Sequence, residues 1–230
     1  MGFYTLVHFF QLGGFFMFPI LLVLAVGLAI AFERWIQLKR VREANNKVWD
    51  LLYPALAKGE FDKAREIANK DKSSMAQMLG MGLARQGAVR RREDIEIAME
   101  ESMMEIIPQL EKRTPYLALL SNIATLFGLL GTIMGLIEAF TAVSSANPAE
   151  KGALLAASIS VAMNCTAFGL MSAIPLLLLH ARLTTTTGRI VNNLEMASVK
   201  ALNAISNFTK RQFDRSPILP SADLTGADHG

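Results

Sequence analysis

The chain has 230 residues, 52% of them hydrophobic, and carries 23 Lys and Arg against 20 Asp and Glu. A net charge of +3 is too small to argue for a nucleic-acid partner, and the lone cysteine, Cys165, excludes an intrachain disulfide and a Cys-rich metal site. His8, His180 and His229 lie far apart without ligand spacing, so neither a metal nor a cofactor is expected.

Charge is distributed unevenly, and the uncharged stretches define the elements. Residues 1–14 (MGFYTLVHFFQLGG) place Phe3, Val7 and Phe10 on one helical face and lack the basic start of a signal peptide; they read as an interfacial amphipathic helix. Residues 15–32 form an uncharged run of 18, and the first transmembrane helix is assigned to 15–35, with Pro19 in its first turns and Trp35 as an interface anchor. Residues 36–113 read as a soluble helical region, broken at Gly59, at residues 71–74 with Ser73 or Ser74 as an N-cap, and at Gly87. From residue 91 a charged amphipathic helix with Ile95, Met99, Met103, Ile106 and Leu110 on one stripe should continue as one long helix, kinked by Pro108 and Pro115, into a second transmembrane helix at 114–140.

A turn-rich loop follows at 141–152 (TAVSSANPAEKG), then a third transmembrane helix at 153–179. The uncharged run 152–179 holds 28 residues, roughly 42 Å of helix at 1.5 Å per residue, so the helix must tilt or protrude. Residues 180–213 read as another soluble helix, with a bend expected at the threonine run 184–187, and 214–230 as a disordered tail.

None of the Lys and Arg residues lies in 1–33, sixteen lie in 34–113, one (Lys151) lies in the loop, and six follow His180. The positive-inside rule then puts the N-terminus outside, 36–113 in the cytoplasm, the 141–152 loop outside and the C-terminus inside. The expected fold is therefore an all-α, multi-pass membrane protein in contact with lipid, with three transmembrane helices and long cytoplasmic helical extensions.

Within the second span, Gly128, Gly131 and Gly135 (GLLGTIMG) share one face, which lets a neighbouring backbone come close. Thr132 brings a hydroxyl beside them, and the third span offers Asn164, Thr166 and Gly169. Two readings stay open: helix packing alone, or packing around a polar ion path that also uses Thr125. There is no nucleophile–base pair, and GLLGTIMG lacks the Lys and Ser/Thr of a phosphate-binding loop, so the sequence makes no case for an enzyme. The uncharged runs also lack a carboxylate at their centre, Glu138 lying near one end. Proton carriage normally needs a titrating group, so a partner would have to supply it.

PYLALL at 115–120 followed by GLLGTIMG at 128–135, together with NCTAFGLMSAIP at 164–175, resembles the second- and third-helix signatures of the MotA/TolQ/ExbB proton-channel family, in its ExbB/TolQ branch. The resemblance implies a homopentamer in the bacterial inner membrane. This pentamer surrounds a dimer of an ExbD/TolR-like single-span partner that carries the pore aspartate, and ion flow through it drives a TonB/TolA-like protein. It places Thr132 and Thr166 opposite that aspartate. Val161 stands where the family often has Glu, and Thr125 where it often has Pro, which leaves H+ against Na+ open. The alternatives are a flagellar-type stator subunit and a non-conducting scaffold.

Overall fold

The computed structural model describes residues 14–86 and 92–215, with side chains through Phe208. The expected amphipathic helix at 1–14 (apart from Gly14), the break at Gly87 and the tail beyond residue 215 lie outside them. Among the described residues six helices follow in order: α1 (Met17–Lys58), α2 (Phe61–Lys70), α3 (Ser74–Arg85), α4 (Arg92–Glu111), α5 (Thr114–Ser145) and α6 (Lys151–Arg215).

Each boundary has a local cause. Gly14 takes a left-handed backbone (φ 74°) and its carbonyl accepts from Met17 N, which starts α1; Pro19 sits where its missing N–H is not needed. At the other end Gly59 is left-handed (φ 77°). Gly59 N donates to Leu56 O at 3.1 Å and Glu60 N to Ala55 O at 2.9 Å, the paired bonds of a Schellman stop. Ser73 caps α3 by accepting from Ala76 N at 3.2 Å.

The single kinked helix expected from residue 91 into the second span is instead two helices. Pro115 has no N–H to donate to the Glu111 carbonyl, and Arg113, at φ 66°, takes the left-handed conformation that ends one helix and starts the next. The opposite correction applies further on. Helix α6 runs unbroken through the threonine run, because Thr185 and Thr186 donate to the carbonyls of Ala181 and Arg182, each at 2.9 Å, and so satisfy their hydroxyls within the helix.

The described residues form two compact units, 14–43 with 105–192, and 44–86 and 92–104 with 193–215. In the first, Ile20, Ala124, Cys165 and Ala173 form a buried cluster with Phe16, Val23, Phe127 and Phe168 around it. The second buries Leu52, Leu56, Met78, Leu79, Leu83 and Met99. Its α2 and α3 pack as a helical hairpin, where Arg65 Nη2 donates to Leu83 O at 2.7 Å and Gln86 O at 3.0 Å, satisfying carbonyls at the end of α3.

Among the described residues three stretches are long and apolar enough to cross a membrane: one in α1, one across α4 and α5, and one in α6. At most a third of each is buried within the chain, and Phe15, Leu22, Leu126 and Met171 are among the large apolar side chains left exposed. Such faces are costly in water and suited to lipid or to other subunits. The chain is a multi-pass membrane protein.

Candidate functional site: the contact between α5 and α6

Helix α5 buries a line of small residues: Ser121, Ala124, Gly128, Gly131 and Gly135. Spaced three or four apart, they form one face. Opposite them α6 presents Ala162, Cys165, Gly169 and Ala173, all buried. The backbones meet most closely at Gly128 and Gly169. A Cβ on Gly169 would lie 2.8 Å from the Ala124 carbonyl oxygen and 2.9 Å from Gly128 Cα. One on Gly128 would lie 3.2 Å from Gly169 Cα. At Gly135 the nearest neighbour is Ala162 Cβ, at 2.9 Å, and at Gly131 it is the Cys165 side chain, with Phe16 also close. All four glycines singled out from the sequence therefore stand in this one contact.

Two hydroxyls cross it. Thr166 Oγ1 donates to Gly128 O at 2.9 Å, and Ser121 Oγ donates to Ala173 O at 2.8 Å. Thr132 donates to Leu129 O at 2.6 Å, and Thr125 to Ser121 O at 3.2 Å, each one turn back on its own helix. In every case the hydroxyl hydrogen goes to a carbonyl, leaving only oxygen lone pairs to face outward. Such a lining accepts hydrogen bonds and solvates cations.

Thr132 and Thr166 are half-buried and on facing helices; Thr125 is exposed, seven residues from Thr132 and on its face. Asn164 is half-buried but two residues from Thr166, so it points to a different side of α6 and does not join that lining. Among the described residues no group of three His, Cys, Asp or Glu side chains could hold a metal.

Sequence reasoning missed two groups. Ser121 lies one heptad before Gly128, a spacing that could have flagged it. Arg34, read only as the end of the first apolar run, is 1% exposed. Its guanidinium donates to the Leu110 carbonyl and, at 2.7 Å, to Gln37 Oε1. It thereby satisfies a carbonyl at the end of α4, where a positive charge also suits the helix dipole. Nearby, Arg113 pairs with Glu33 at 2.5 Å, across the α4–α5 junction.

Residues 70–196 match the model of the MotA/TolQ/ExbB proton channel family. The chain is 33% identical over 121 residues to a Tol-Pal system protein TolQ from Haemophilus influenzae, covering 52% of this chain and 51% of that protein. It is 31% identical over 169 residues to an ExbB-like 1 biopolymer transport protein from Synechocystis sp., covering 70% of this chain and 64% of that one. The chain thus spans about half the length of the first relative and under two thirds of the second. The family match runs from before α3 into α6, and so includes the Arg113 turn and the whole glycine contact. With that match across more than half of its length, and relatives of both the TolQ and the ExbB kind, this chain belongs to the MotA/TolQ/ExbB proton channel family, in its ExbB/TolQ branch.

Proposed function

We propose that this chain is the channel-forming subunit of an energy transducer in the bacterial inner membrane. It assembles as a pentamer around a single-span partner of the ExbD/TolR kind and conducts protons through the lining that α5 and α6 provide. The flow energises a TonB/TolA-like protein. One observation carries the reading: the hydroxyls of Thr132, Thr166 and Ser121 all give their hydrogens to backbone carbonyls, so the lining offers acceptors and no titrating group. The uncharged runs 114–137 and 152–179 contain no carboxylate. An acceptor lining of this kind complements an aspartic acid brought by a second chain, which can donate to it when protonated and carry the proton that the hydroxyls cannot. Relatives named for the Tol-Pal system and for biopolymer transport support the same role.

The test is a mass determination of the detergent-purified chain, alone and co-expressed with its candidate single-span partner. A pentamer that takes up two partner copies supports the transducer. A monomer or dimer without partner uptake sinks it and leaves the glycine face as packing. In reconstituted vesicles, flux that persists in Na+-free K+ buffer assigns the ion as H+; flux that requires Na+ overturns that assignment.

A further inference from the structure

At the end of the α5–α6 pair away from the Ser145–Lys151 connection lies a pocket of about 300 Å³, open on one side and lined by Glu111, Thr114, Pro115, His180, Thr184, Thr187 and Gly188. Thr114 and Thr187 are each 4% exposed. Among the described residues neither hydroxyl oxygen has a hydrogen-bond partner. A buried hydroxyl without a partner costs about 1–3 kcal/mol, and two beside one cavity point to something inside that bonds them. The volume is far above the roughly 15 Å³ that a single water needs.

The cavity is in register with the lining described above. Thr114 and Thr132 are 18 residues apart on α5, and Thr166 and Thr184 are 18 apart on α6. Eighteen residues make five full turns at 3.6 per turn, so each pair shares a face, separated by about 27 Å along the helix. His180, Thr184 and Thr187 follow at i, i+4 and i+7 on that face of α6. Between these ends Ser121 and Thr125 continue the hydroxyls on α5. Glu111, exposed to solvent, lines the pocket from the last turn of α4, which the Arg34 guanidinium fixes through the neighbouring Leu110 carbonyl. Among the described residues, His180 and Glu111 are the titratable side chains in the lining.

We infer that this cavity is the hydrated inner end of the ion path, where waters held by Thr114 and Thr187 deliver the proton to the His180 imidazole and from there to Glu111. The imidazole takes a proton on one ring nitrogen and releases one from the other. The Glu111 carboxylate accepts it and hands it to solvent, which restores the carboxylate; the imidazole, left as its other tautomer, is reset by a turn of the ring before the next proton arrives. The inference rests on the proton-conducting reading above.

The experiment uses the full chain with its single-span partner in proteoliposomes, with proton uptake driven by a valinomycin-set K+ potential. His180→Gln, and separately Thr114→Val with Thr187→Val, should each lower uptake by about tenfold or more with oligomer and partner content unchanged. Uptake at the unaltered rate in either variant, with the complex intact, overturns the inference and leaves conduction standing. If the unaltered complex shows no partner-dependent uptake, the conducting reading falls, and this inference falls with it. A second measurement tests hydration alone and does not depend on assembly of the double variant. Thr187→Cys should react with a charged, water-soluble methanethiosulfonate, whereas the buried Cys165 of the unaltered chain should not. A Cys at 187 as inert as Cys165 means a dry cavity and overturns the inference.

Discussion

The Thr166 hydroxyl and the Gly128 carbonyl meet across two helices at 2.9 Å, at the point where a glycine on each side brings the backbones closest. The bond depends on both glycines, because any side chain at 128 or 169 would hold the helices apart.

Thr166→Val keeps the volume and removes the donor. It should cost only about 1 kcal/mol of stability, since the carbonyl it leaves also has its place in the α5 ladder. Partner-dependent ion uptake should fall by about tenfold or more if the hydroxyl serves the ion, while Thr166→Ser keeps it. Size-exclusion with mass detection, beside vesicle flux, separates the two effects: loss of the oligomer in the valine variant would make the hydroxyl structural.

Gly169→Ala places a Cβ against the Ala124 carbonyl and Gly128 Cα, both backbone. Neither can turn aside, so the helices must separate, at about 1–3 kcal/mol for overpacking. Gly152→Ala is the control, because nothing lies within 4 Å of its Cβ position; there alanine should be neutral or stabilising by up to about 1 kcal/mol. Thermal unfolding of the detergent-solubilised chain measures both. Equal midpoints for the two variants would contradict the close-contact account.

Arg34→Met should destabilise the first unit by about 2–4 kcal/mol, through loss of the bonds to the Leu110 carbonyl and Gln37. Arg34→Lys should not rescue it, because one ammonium cannot reproduce a guanidinium fork. Limited proteolysis at Lys112 and Arg113 reports the outcome: cutting should quicken in both variants, and an unchanged rate in the lysine variant would show that charge alone suffices.

Gly59→Ala meets two obstacles, a left-handed backbone and the ring of Phe208. The backbone term alone is about 1–2 kcal/mol. Adding Phe208→Ala should restore part of the loss beyond that term, read as a coupling in a double-mutant cycle. Additive losses would mean the ring yields freely.

The spans were legible because a lipid-facing helix must exclude charge along its length, and 114–137 and 152–179 do so without exception. The stops at Gly59 and Ser73 were legible because each is a local device with a residue type to match. The turn at Arg113 was not: the two prolines suggested a kink, and arginine carries no signal for a left-handed backbone. The bend expected at 184–187 failed because propensity is a weak prior against packing: Thr187 is buried while Thr185 and Thr186 bond their own helix. For the site, the glycine face could be read from spacing on one helix. The bond from Ser121 to Ala173 depends on the register between two helices, which spacing on either one does not contain.

The bonds from Thr132, Thr166 and Ser121 to helix carbonyls carry a kinetic meaning. To relay a proton, a hydroxyl must receive one, release its own, and rotate back before the next arrives. With its hydrogen committed to a rigid backbone oxygen, each of these groups would first have to break that bond, and the rotation is stalled. Under the proposed conduction they would act as fixed poles that orient the moving proton's carriers, with turnover left to more mobile groups. Thr114 and Thr187, at the far end, make no such bond among the described residues.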